Sequence, residues 1–256
     1  MANSRFVKTN LATTLGSYYA APAADADFPA ANALDVERNH YWMTEATPGD
    51  PLDAVISLGS AQSVDCMGLA GFMYGPGTVV ATCDVSSSAD HSTWTSRATL
   101  TLGASYPRDI CAVLASPVSA QYWRFRFDFT TVGRFILGRF LLGAVMEVNG
   151  LWGPGSTDEP TQARIRVQNA IRQSRVINKG NQSRNVSLNF PEIDTTMKDQ
   201  LVGLADLEDP FFYIHPTTGQ LMEVLLADDK VMVEPIFTPG SGGDIWTVNV
   251  KMERLP

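Results

Sequence analysis

The chain has 256 residues, 45% of them hydrophobic, and a formal net charge of −8. That is apolar material enough for one large or two modest cores, and an overall charge that argues against general nucleic-acid affinity. The longest apolar runs are cut by glycine or charge before they could span a bilayer. The opening residues 1–8 lack the continuous apolar segment of a secretory signal, so a cytosolic origin and no membrane insertion are expected.

Residues 11–33 are rich in alanine and interrupted by Pro22 and Pro29, so the chain is expected to open on an extended lead-in over 1–27. Turn and strand signals then follow in order: Asn32–Asp35, His40-Tyr41-Trp42, Leu52–Gly59, Ser86–Asp90 with Trp94, Gln121–Phe127, and the apolar run Phe135–Gly143. Trp123, Phe125, Phe127 and Phe129 alternate with Arg124, Arg126 and Asp128, the period of a half-buried strand whose aromatic side belongs to a core. Two glycines flanking Pro154 stop any helix or ladder, which places a linker at 150–158 between domains over 28–149 and 159–256.

Past the linker the charge separates. Arg164, Arg166, Arg172, Arg175, Lys179 and Arg184 form a run of six cations with no acid between Glu159 and Glu192, whereas the tail from Glu192 carries twelve acids against four bases. Asn185–Phe190 and Ile245–Glu253 alternate strictly and read as antiparallel strands with one buried face. Between them Met197, Leu201, Leu204 and Ala205 fall at helical spacing, with Asp194 or Thr195 as N-cap and Pro210 as the stop. Phe211–His215, Leu221–Ala227 and Val231–Phe237 supply further strands, with turns at 217–219 and at Asp228-Asp229.

Little in the chain suggests catalysis. No serine sits in a G-x-S-x-G elbow, and the glycine-rich pieces at 75–77 and 240–243 lack the Lys-Ser/Thr of a phosphate loop. His40, His91 and His215 are scattered, so no metal site and no cofactor are expected. Cys66, Cys83 and Cys111, an odd number without a C-x-x-C, read as free thiols of a reducing compartment.

The order of signals from Phe28 to Gly143 resembles the discoidin-like, galactose-binding-like jelly roll. That likeness implies a β-sandwich that attaches to surfaces and is not itself an enzyme. Where the family has Asp-Gly after its first turn this chain has Asp35-Val36, so no calcium role is carried over for that loop. The resemblance places His40, Tyr41 and Trp42 on a ligand-facing loop, with Tyr74 in the next turn-rich segment, as a candidate glycan-binding set. Trp42 and Trp94 read more readily as plugs at the ends of the sandwich.

The second half resembles the tube-forming and distal-tail domains of tailed bacteriophages, in which a hairpin, strands and one helix build a split β-barrel. The expectation that follows is a mainly β chain, a jelly-roll sandwich followed by a barrel, forming or docking onto a ring at a phage tail tip or baseplate. Its partners would be its own copies, neighbouring tail proteins and a cell-surface glycan, its place the virion tail, and its six cations the contact between copies. The alternative from the same residues is a lectin-like carbohydrate-binding module, with those arginines a solvated strand face.

Overall fold

The computed structural model of the chain describes residues 3–35, 40–74, 81–102, 109–148, 157–161, 164–168, 174–178, 183–207, 210–216, 219–236 and 245–254. At 46, 73–74, 81, 228–230, 236 and 254 and within 157–185 only the backbone is described. The fold is mainly β and divides into two compact units. One comprises Phe6–Met146 with Thr218–Leu221, the other Met1–Arg5, Glu147–Thr217 and Met222–Pro256.

The chain begins with β1 (Ser4–Val7), the single helical turn α1 (Leu11–Thr14), β2 (Ser17–Ala20) and a 3-10 turn at Ala30–Leu34. It continues through β3 (Trp42–Ala46), β4 (Leu52–Ala70), β5 (Met73–Tyr74), β6 (Ala81–Ser88), β7 (Thr95–Leu102), β8 (Ile110–Phe129), β9 (Gly133–Leu137) and β10 (Arg139–Gly143). The first 27 residues are thus not a plain extended lead-in. They hold two short strands and a turn of helix, because Asn10 caps that turn and its side chain reaches over to β10.

The first unit is an antiparallel jelly-roll sandwich. Its larger sheet runs β10-β4-β8-β6-β7, with β2 also on β4, and its smaller sheet runs β3-β9-β5. β2 pairs Val55–Ser57 and β10 pairs Cys66–Ala70, so the two short strands follow one another along the edge of β4 that β8 leaves open. Gly59 lies where the β4–β8 register shifts and has φ +76°, a conformation in which a side chain would be strained. Trp123, Phe125, Phe127 and Phe129 face inward from β8 as their alternation requires, and meet Trp42 of β3, Phe135 and Leu137 of β9 and Phe140 of β10. Each fully buried side chain of this size contributes roughly 1.5–3 kcal/mol, so this aromatic layer holds the two sheets together. Cys66, Cys83 and Cys111 are free thiols, the first two buried.

The later elements are β11 (Val145–Val148), β12 (Thr157–Thr161), β13 (Arg164–Gln168), β14 (Ser174–Asn178), β15 (Ser183–Ile193), α2 (Thr195–Val202), β16 (Phe211–Ile214), β17 (Leu221–Ile236) and β18 (Ile245–Arg254). A seven-stranded sheet runs β11-β1-β16-β17-β18-β15-β12, and β13 with β14 forms a separate two-stranded sheet. Val186, Leu188 and Phe190 of β15 and Val248, Val250 and Met252 of β18 are buried, as strict alternation predicts. Asp194 is the N-cap of α2, its side chain accepting from the Met197 N–H at 2.7 Å. Trp246 fixes the helix from below, donating through Nε1 to the Thr195 hydroxyl and lying under the Lys198 ammonium at 4.6 Å. Asp228 and Asp229 do not make a turn between two strands. They lie inside one long β17 at a register shift between Leu226 and Val231, so the expected break is absorbed as a bulge. Among the described residues no helix is long and apolar enough to cross a membrane.

Candidate ligand-binding face

Of the loop residues expected to meet a glycan, Trp42 lies in the core. Trp42 is fully buried, its Nε1 donating to the Ala23 carbonyl at 3.0 Å and its ring packed on Phe127, Phe135 and Phe140. No sugar ring can stack on it, and its place is the core because β3 alternates with Trp42 turned inward. Tyr41 is half-buried and stacked on Phe28 at 4.7 Å. His40 is exposed, its Nδ1 2.8 Å from the Asp35 carboxylate. The Tyr74 side chain lies outside the described residues, as do those of Arg164, Arg166, Arg175 and Arg184; Arg172 and Lys179 lie wholly outside them. In the β13–β14 pair Arg175 is opposite Val167, one step out of phase with Arg166.

A different set of aromatics converges on the outer face of the larger sheet. Inward Trp123 and Phe125 require Tyr122 and Arg124 to stand on the other side of β8. Register sets Tyr122 between Ser57 of β4 and Ser88 of β6, two small residues that leave room beside its ring. On β2, Tyr18 turns inward and donates its hydroxyl to the Ala30 carbonyl at 2.8 Å, so Tyr19 turns outward and is 57% exposed. Burial drives the Tyr18 phenol far above its ordinary range, and it stays a neutral donor.

The β6–β7 hairpin supplies the other two rings. His91 has φ +64°, which non-glycine residues seldom adopt. Asp90 holds it there. Asp90 Oδ1 accepts from the Ser92 and Thr93 N–H groups at 2.9 and 3.2 Å and from the Ser88 hydroxyl at 3.0 Å, while Oδ2 accepts from the Ser92 hydroxyl at 2.6 Å. These donors, the Ser92 hydroxyl foremost, keep the Asp90 carboxyl well below the usual carboxylate range. The hairpin therefore keeps its anchor at any ordinary pH.

So placed, the His91 ring lies 3.7 Å from Tyr19, 5.6 Å from Tyr122 and 5.6 Å from Trp94, centroid to centroid. Tyr19 and Tyr122 meet edge to face at 5.5 Å. The Arg124 guanidinium closes the row, 4.8 Å over the Trp94 ring. All four rings keep exposed or half-exposed surface. Flat rings beside serine hydroxyls are what the apolar face and polar rim of a pyranose can use.

The same unit also carries a concavity of about 320 Å³ lined by 23–25, 43–45 and Arg134. Its lining includes no aromatic ring, so it offers carboxylates and a guanidinium but no plane for stacking. Among the described residues no three His, Cys, Asp or Glu side chains gather closely enough to hold a metal ion.

No protein-family model matches the sequence, and no curated protein is found similar to it. Solved structures do resemble about half of the chain. One is the CBM32-3 module from a family 31 glycoside hydrolase of Clostridium perfringens, at 18% identity and TM-score 0.44, covering 53% of this chain and 94% of that one. Another is chitosan-binding module 1 from a chitosanase/glucanase of Paenibacillus sp. IK-5, at 23% identity and TM-score 0.41, covering 53% of this chain and 99% of that one. Likenesses this distant assign no residue a role; the aromatic face stands on its own geometry.

Proposed function

We propose that this chain is a non-catalytic carbohydrate-binding protein, and that its sandwich unit holds a glycan against the outer face of its larger sheet. The observation that carries this reading is the convergence of Tyr19, His91, Trp94 and Tyr122 from three separate parts of the chain onto one exposed row. Tyr19 is exposed and the other three rings keep part of their surface in solvent, which suits a binding face. A left-handed His91, held by four hydrogen bonds to Asp90, is backbone strain kept where a ligand would use it. Asp90, the carboxylate nearest this row in sequence, has both oxygens engaged by those donors, so the face suits binding and not acid–base chemistry.

The tail-tip reading of the second unit has no such observation behind it. It rests on the resemblance of its hairpin, strands and helix to tail domains, and its contact between copies on Arg164, Arg166, Arg172, Arg175, Lys179 and Arg184, whose side chains lie outside the described residues. The carbohydrate reading needs none of them.

Affinity electrophoresis through gels containing a panel of soluble polysaccharides tests the proposal. At least one polysaccharide should retard the wild-type protein. Tyr19→Ala and Trp94→Ala should each weaken that retardation tenfold or more, since one aromatic contact is worth about 0.5–1.5 kcal/mol beyond its buried area. Their thermal stability should stay close to that of the wild type, as expected for partly exposed positions. Retardation that survives both substitutions unchanged would rule the face out.

A further inference from the structure

Within the carbohydrate-binding reading, on which this step rests, the geometry points to an acidic sugar as the ligand: we infer that Arg124 takes the carboxylate of a uronic acid residue whose ring lies along the Tyr19–His91–Trp94–Tyr122 row. Arg124 is set by strand alternation two residues after Tyr122, on the same face, opposite Val55 of β4 and Ser86 of β6. Its guanidinium lies over Trp94, and among the described residues that ring is the one partner recorded for it. Its Nε is buried without an acceptor.

Among the described residues no carboxylate forms an ion pair with it, although Asp53 keeps an unpaired Oδ1. Asp53 lies 3.6 Å from Arg126, Asp84 accepts the Thr99 hydroxyl at 2.5 Å, and Asp90 is tied into the hairpin by its own hydrogen bonds. A cation without a direct ion pair stands at the end of an aromatic row in a chain of net charge −8. A neutral glycan would not call for it.

The chemistry of guanidinium explains the choice. A guanidinium held over an indole can still turn its terminal N–H groups to the two oxygens of a carboxylate. A lysine would supply charge without that geometry. The carboxylate of a uronic acid is borne on C5 and projects from the ring edge, so a pyranose stacked on the row can present it sideways to Arg124. Charge then adds selectivity to an affinity that stacking provides.

The test titrates the 256-residue chain by calorimetry with tetragalacturonate and tetramannuronate, each beside its methyl ester, at low and at high salt. At least one acid should bind tenfold or more tighter than its ester, and the gap should narrow as salt rises. Arg124→Gln should erase the gap while keeping ester binding, and Arg124→Lys should restore only part of it. Circular dichroism and thermal midpoints of both variants establish that the sandwich is intact. Equal binding of acid and ester would overturn the uronate inference and leave the aromatic face standing. If neither form binds although the gel panel shows another polysaccharide bound through Trp94, the inference again fails alone. If nothing binds in either experiment, both readings fail.

Discussion

Trp42→Ala should cost the first unit about 3–5 kcal/mol, the range for deleting a large buried aromatic. Trp42 is fully buried and its ring touches Phe127 of the larger sheet, Phe135 of the smaller and Phe140 of β10, so its loss opens a cavity between the two layers. A domain of this size has a net stability of only about 5–15 kcal/mol, so the variant should unfold at a clearly lower urea concentration or fail to accumulate. Trp42→Phe refills most of the cavity but leaves the Ala23 carbonyl without its Nε1–H donor, a smaller cost of about 1–3 kcal/mol. Urea titration followed by circular dichroism measures both. A Trp42→Ala midpoint equal to that of the wild type would mean that this ring is not the keystone of the sandwich.

Asn10→Ala should cost about 2–4 kcal/mol, an effect out of proportion to one short polar side chain near the N-terminus. Asn10 Oδ1 accepts from the Ala12 N–H and from the Leu142 N–H, both at 3.1 Å, and Nδ2 donates to the Phe140 carbonyl at 2.8 Å. Losing the cap costs about 1 kcal/mol, and each part-buried group left unpaired on β10 adds about 1–3 kcal/mol less whatever water recovers. Asn10→Asp separates the contributions, since it keeps both acceptor bonds and sets an oxygen against the Phe140 carbonyl. It should fall between alanine and wild type by the same titration. A variant order with Asp below Ala would show that the contact with Phe140 outweighs the cap.

Where one residue's environment is decided by its neighbours in the chain, the sequence was enough. The alternation of β15 and β18, the inward aromatics of β8 and the Asp194 cap of α2 all follow from local spacing. Trp42 shows the boundary of that kind of inference. Its neighbours suit a core plug better than a ligand loop but allow both, and the packing of β3 over β8 and β9 makes it core. The aromatic face is a harder case. Tyr19 lies in a stretch read as lead-in, His91 and Trp94 in a serine-rich turn, and Tyr122 in a strand whose larger aromatics point the other way. What joins them is cross-strand register, Ser57 opposite Tyr122 and Ser88 beside it, and no local pattern carries register between strands so far apart in the chain. The one available signal was Tyr122 itself, an aromatic on the outward phase of a half-buried strand.

The most direct test of the account uses the indole N–H resonances of the five tryptophans in a ¹H–¹⁵N spectrum, assigned through single Trp→Phe variants. An oligosaccharide cut from the polysaccharide that retards the protein in gels is added to saturation. The account predicts that the Trp94 resonance moves progressively with ligand, while that of Trp42, buried and bonded to Ala23, holds its position. A Trp94 resonance that stays fixed while the His40 and Tyr41 amides move would contradict it and return the binding site to the loops.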